Sequence, residues 1–185
     1  MMWSVAGQLR AEPAADRLDL LATPVAEALR ALPEADVARC GVAEIDPALA
    51  DTAALCEHLR VPLHASANCV VVSGKRAGEV RYAACVVLAT TRVDVNNTVR
   101  RRLDVRKASF APMDDAVART GTEYGGITPL GLPAEWPLLL DPAVADSTEL
   151  VVGSGVRRSK LLLPGDLLAR LPRAEILDGL GIPTT

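Results

Sequence analysis

Glycine-held backbone is the feature of this chain best suited to chemistry. Seven of its 13 glycines fall in two stretches. The first reads Gly121-Thr122-Glu123-Tyr124-Gly125-Gly126-Ile127-Thr128-Pro129-Leu130-Gly131, and the second is Gly153-Ser154-Gly155 with Gly165 beyond it. Closely spaced glycines let backbone N–H groups turn toward one concavity, which can hold an anion or the oxyanion of an acyl transfer. The plainer reading is a pair of turns. Neither stretch carries the Gly-Lys-Ser/Thr of a P-loop or the spaced glycines of a dinucleotide fingerprint. Ser154 lacks the flanking residues of a nucleophile elbow.

Side chains that usually do catalysis are sparse. The two histidines, His58 and His64, have no partner at catalytic or metal-ligand spacing, so no metal is expected. No cofactor motif is present. Cys40, Cys56, Cys69 and Cys85 are scattered without paired spacing and read as reduced, buried thiols. Cations, by contrast, cluster. Arg100, Arg101, Arg102, Arg106 and Lys107 form one group, and Arg157, Arg158 and Lys160 a second. Either is a solvated face or a local phosphate-binding patch. With 20 basic against 23 acidic residues, the chain is not a globally basic nucleic-acid module. Its five aromatic residues also argue against a broad base-stacking platform.

The elements that must position these groups are short. Leu18, Leu21, Val25, Leu29 and Leu32 lie on one helical face, with Thr23-Pro24 as the start of the second helical piece and Pro33 as its stop. A strand is expected within Val37 to Ile45, and a helix after Asp51 or Thr52 that carries Leu55 and Leu59. Cys69 to Val72 and Val80 to Leu88, joined by a glycine-bearing loop, predict a β-hairpin. Asp94 caps a helix over Val95 to Leu103, Val105 to Phe110 reads as a strand, and Pro112 to Thr120 as a helix closed by Gly121. Strands follow at Pro137 to Leu140, Leu150 to Val152 and Lys160 to Leu163, then a helix over Gly165 to Leu171 and a strand over Ala174 to Leu177. Interleaved short strands and helices predict a mixed α/β or α+β sheet. No linker divides the 185 residues, so one domain is expected, with residues 1–45 as a helical N-terminal extension. No membrane span and no secretory signal are legible, which points to the cytoplasm.

The ordered motifs resemble the YbaK/ProX family of aminoacyl-tRNA deacylases, relatives of the editing domain of prolyl-tRNA synthetase. Three pieces lead: Ala67-Asn68-Cys69-Val70-Val71-Val72, Asp94 in its Arg-Val-Asp-Val turn, and Val105 to Ala111. The most specific follows, Thr120-Gly121 and then Gly125-Gly126-Ile127-Thr128-Pro129-Leu130-Gly131, with Val152 to Gly155 and Pro164-Gly165-Asp166-Leu167 beyond. The resemblance implies an α+β fold, a barrel-like mixed sheet flanked by short helices. It also implies a free-standing trans-editing hydrolase that removes a mischarged amino acid from tRNA without metal or cofactor. Water would attack the ester, helped by the substrate's ribose hydroxyl.

Carried onto this chain, Gly125, Gly126 and Asn68 are the catalytic candidates. Tyr124, Ile127, Thr128 and Pro129 shape the pocket, and Gly153, Ser154 and Gly155 contact the acyl-ester region. Lys107, Arg157, Arg158 and Lys160 handle phosphates. Phe110 is expected in the core, and Trp136 as a packing lid behind the loop. Gly126→Val is expected to narrow the pocket without unfolding the chain. Two positions depart from the family pattern: Asn68 stands where a lysine is common, and Lys160 where an aspartate would fall. These departures keep open a silent homologue that binds aminoacyl-tRNA ends or a synthetase partner, and an esterase for a small acyl substrate.

Overall fold

The structure, a computed structural model, describes residues 3–184. Among the described residues the strands are β1 (Ala11–Pro13), β2 (Gly41–Glu44), β3 (Ala67–Arg76), β4 (Glu79–Leu88), β5 (Thr91–Val93), β6 (Ala108–Phe110), β7 (Leu138–Leu140), β8 (Leu150–Gly153), β9 (Ser159–Leu163), β10 (Ala174–Ile176) and β11 (Gly181–Pro183). The α-helices are α1 (Thr23–Arg30), α2 (Glu34–Val37), α3 (Thr52–Leu59), α4 (Arg100–Arg102), α5 (Met113–Thr120), α6 (Pro142–Ala145) and α7 (Gly165–Ala169). A wide π turn, Val95–Val99, leads into α4 and is capped by Asp94, whose carboxylate accepts from the Asn97 and Thr98 amides.

The strands form a four-stranded sheet in the order β1-β2-β9-β8, a five-stranded mixed sheet in the order β10-β7-β4-β3-β6, and a β11-β5 pair. The fold is α+β, as expected, but its sheets do not close into a barrel. The two larger sheets are linked by a parallel bridge between Ser66 and Val151. Alternation along each strand divides the core. Leu150, Val152, Leu161 and Leu163 join Ala84, Val86, Leu138 and Leu140 beneath Val25 and Leu29 of α1. The opposite face of the four-stranded sheet, with Val151 and Leu162, packs on Leu55 and Cys56 of α3. The opposite face of β4, with Ala83, Cys85 and Val87, packs on Val95, Val99 and Leu103.

The hairpin is longer than its apolar runs suggest. Strands β3 and β4 pair from Ala67–Leu88 to Arg76–Glu79. Only Ala77 and Gly78 remain as the turn, both at positive φ (49° and 88°), the geometry whose twist matches a two-residue hairpin. Residues 3–45 are helical only in part, because β1 and β2 lie within the four-stranded sheet. Thr23 is the first residue of α1 and makes no capping hydrogen bond; Ala22 occupies the cap. No described helix is long and apolar enough to cross a membrane.

Candidate functional site

The site lies where the sheet opens along one side of β3. On that side, β6 pairs only with Val72 to Gly74, and β8 is bridged only at Ser66, just before β3. Between them the edge from Ala67 to Val71 faces a cleft of about 420 Å³, within the range typical of small-ligand sites. The alternation of antiparallel pairing sets which backbone groups face it. Ser66 O accepts from Ala89 N on the β4 side, and Val71 O accepts from Ala111 N on the other, so the Cys69 N–H and C=O are directed at the cleft. An open strand edge is a row of ready donors and acceptors.

One wall is polar. Asp51 caps α3, its Oδ1 accepting from the Ala53 and Ala54 amides at 2.9 and 3.2 Å. The anion-binding capacity of that helix start is therefore already occupied. Thr52, one residue on, donates its hydroxyl to Asn68 Oδ1 at 2.7 Å. With its carbonyl oxygen so held, Asn68 has its amide hydrogens left to offer. Lys160 on β9 is 6% exposed, and its Nζ donates to the Ala50 carbonyl at 2.7 Å. Burial pushes this ammonium below the ordinary lysine range; Asp51 opposes the shift and Arg157 adds to it.

The other wall is apolar, made by Phe110, Ala111, Met113, Ala116, Tyr124 and Ile127. Cys69 also lines the cleft. Burial pushes its thiol up to about 12, which keeps it protonated rather than nucleophilic at neutral pH. His58 and His64 are exposed on the surface and do not line the cleft.

The two glycine loops meet backbone to backbone. Gly155 N donates to Gly126 O at 2.8 Å, Glu123 N to Gly155 O at 2.8 Å, and Gly126 N to Glu123 O at 2.9 Å. A Cβ on Gly126 would lie 2.9 Å from Gly155 C and Val156 N, and one on Gly153 would lie 2.6 Å from Gly126 O. Glycine is required here for close approach, so a valine at position 126 pushes the loops apart instead of simply narrowing a pocket. The start of α1 backs the pair: Ala22 N donates to Ser154 O at 3.2 Å, and Val25 Cγ2 lies 2.9 Å from where a Gly155 Cβ would be.

Of the residues singled out from sequence, Asn68, Tyr124, Gly125, Ile127, Gly153 and Lys160 come together at the cleft. Gly126, Thr128, Pro129, Ser154, Gly155, Lys107, Arg157 and Arg158 are not among its lining. Ser154 is fully buried, with its hydroxyl 2.8 Å from Ser159 Oγ. Thr128 is fully buried, and Pro129 borders a separate apolar groove. Arg158 turns away to the Asp19 carbonyl. Arg157 stays at the rim, donating to the Tyr124 carbonyl at 3.3 Å and the Pro47 carbonyl at 3.0 Å.

Phe110 is 59% exposed at the mouth of the cleft, not in the core. It is the last residue of β6, the edge strand of the five-stranded sheet, and pairs there with Val72. Trp136 is buried and stacks on Tyr82, ring centroids 5.0 Å apart, with Arg119 over the Tyr82 ring. Sequence reasoning missed Thr52 as a site residue, because a threonine at a helix start reads as a cap and nothing local announces its partner sixteen residues on.

Residues 46–171 match the family described as the aminoacyl-tRNA editing domain. Among solved structures, the chain resembles a candidate trans-editing enzyme for prolyl tRNA synthetase. That match has 18% identity and a TM-score of 0.68, and covers 90% of this chain and 96% of the other. It also resembles a hypothetical protein, at 18% identity and a TM-score of 0.63, covering 74% of this chain and 89% of the other. At such identities these two likenesses speak for the fold alone.

Proposed function

Since the chain belongs to the aminoacyl-tRNA editing domain family, we propose that it is a free-standing trans-editing enzyme that hydrolyses the ester of a mischarged aminoacyl-tRNA. The observation that carries this reading is the union in one cleft of an open β3 edge, the Thr52–Asn68 pair and the buried Lys160 ammonium. Editing of this kind supplies discrimination that a small hydrophobic pocket cannot supply by binding alone.

Water attacks the ester carbonyl, and negative charge grows on its oxygen as the carbonyl carbon becomes tetrahedral. Donors fixed in advance around that oxygen lower the barrier, since they need no reorganisation during the reaction. The Lys160 ammonium, with one of its three hydrogens on the Ala50 carbonyl, has two left to give, and the Asn68 amide adds another. Lys160 thus acts on the acyl-ester region and not on phosphate. Gly125 and Gly153 let the chain approach closely. The ribose hydroxyl beside the ester relays the attacking water's proton, and the ribose oxygen leaves with it. Arg157 at the rim meets a phosphate.

The experiment is deacylation measured across a panel of mischarged tRNAs. Turnover on at least one is expected, with Lys160→Met and Asn68→Ala each slowing it about tenfold or more, the loss of roughly 1.4 kcal/mol of transition-state stabilisation. The one carboxylate among the lining residues, Asp51, is engaged in capping α3, which favours a second reading, a silent module that binds the aminoacyl end. Intact tRNA binding with no turnover on any member of the panel would replace the first reading by the second.

A further inference from the structure

Six large apolar side chains are exposed among the described residues, and three of them stand at this one cleft: Phe110 at 59%, Met113 at 49% and Tyr124 at 58%. Leu63, Val80 and Ile176 are elsewhere. Single exposed apolar residues are ordinary on a protein surface, but a contiguous group rimmed by polar residues marks a contact site. Each of the three is held out by its element. Phe110 is the last residue of β6, paired with Val72, and its side chain is exposed. Met113 shares a helical face with Ala116 and Thr120 of α5; those two are buried, while Met113 overhangs the cleft. Tyr124 precedes Gly125, whose φ of 77° turns the chain sharply, and its carbonyl is tied to Arg157.

The cleft is therefore graded. Its hydrogen-bond donors, Asn68 and Lys160, surround the start of α3, and rings and a thioether stand at its mouth. A ligand that fits must carry an acceptor-rich end and, next to it, a flat apolar face. An RNA 3′ end esterified at its terminal ribose has this order, because the ester and the terminal base hang from the same sugar. Base faces stack on aromatic side chains with little regard to base identity, and a neighbouring arginine adds to the attraction.

We propose that Phe110, Met113 and Tyr124 clamp the unpaired terminal nucleobase of the RNA by its faces, so that the RNA portion of the substrate is held by stacking and a rim arginine instead of by base-edge hydrogen bonds. This rests on the editing function proposed above and adds to it the subsite for the base.

The test uses the full chain and an RNA trinucleotide whose terminal base is 2-aminopurine, joined to alanine through a non-hydrolysable 3′-amide. Binding to the unaltered protein should quench the 2-aminopurine fluorescence. Phe110→Ala and Tyr124→Ala should each weaken binding about fivefold or more and relieve the quench, while Tyr124→Phe, which keeps the ring, should bind like the unaltered protein. An otherwise identical probe lacking the terminal base should bind the unaltered protein more weakly, yet bind the Phe110→Ala/Tyr124→Ala double variant no worse than the complete probe does. Both side chains are exposed, so unchanged thermal melting accompanies these effects. Binding without quenching, or alanine variants of unaltered affinity, would overturn the clamp. The two proposals fail separately. Quenching without turnover on any mischarged tRNA removes hydrolysis and leaves the clamp. Turnover that Lys160→Met abolishes, with KM unmoved by Phe110→Ala and Tyr124→Ala, removes the clamp and leaves hydrolysis.

Discussion

Lys160 shows how far one residue's role depends on its surroundings. In sequence it ends a basic run, Arg157-Arg158-Ser159-Lys160, and reads as a phosphate contact. In the fold, Arg158 lies just before β9 and turns to the Asp19 carbonyl, whereas Lys160, within β9, enters the cleft, where burial lowers its pKa from 10.5. The ammonium is then present only below that lowered value. Affinity for a non-hydrolysable 3′-amide analogue should accordingly fall as pH rises through it, at a pH below the usual lysine range. Stability should move the other way. Between the lowered value and 10.5 the unfolded chain binds the proton more readily than the folded one, so unfolding becomes harder as pH rises through that window. Titrations of analogue affinity and of urea midpoint, each compared with Lys160→Met, check both slopes. A Lys160 contribution of the same sign in both would contradict the buried-ammonium account.

Among elements, the paired glycine loops and the α2–α7 contact make opposite demands. The loops pack main chain on main chain, and Gly126→Ala should cost about 1–3 kcal/mol in chemical denaturation by overpacking, with deacylation lost along with the loop geometry. The order of these glycines was legible in the sequence because glycine is itself the signal. Their direct partnership was not, since the Gly126–Gly155 hydrogen bond joins positions 29 apart and depends on α1 closing over them. At the other contact, Asp166 of α7 accepts from both Arg39 and Arg170, and Asp36 of α2 joins the same pair. The hydrogen bond from Arg39, with help from Arg170, holds the Asp166 carboxyl down to about 2. Its contribution is present above the usual value of 3.8 and is lost as pH falls toward 2. The carboxylate is half exposed, so Asp166→Asn should cost no more than about 1 kcal/mol at neutral pH, and less still at pH 2. Thermal melts at the two pH values read this directly.

The whole molecule is acidic, with a net charge of −3, and its large arginine cluster does not line the cleft. Arg102 pairs with Glu175, while Arg100 and Arg101 donate to carbonyls of the preceding turn. RNA binding should therefore show a shallow salt dependence. The single phosphate contact of Arg157 gives a slope of about −0.7 for log K against log salt, and a slope several times steeper would mean a second basic surface at work. What the sequence by itself determined was local and periodic: the hairpin, α5 with its glycine stop, the order of the glycine loops, the α+β class and the family likeness. Each follows from hydrophobic spacing or from residues with special backbone freedom, and these act over a few positions. Only the tertiary structure decided that Thr52, Asn68 and Lys160 share a wall, that β3 has an open edge, and that Phe110 faces outward. Burial and contact are sums over distant segments. A lysine becomes a cleft ammonium, and a phenylalanine a surface ring, according to which strands arrive beside them and which stop short.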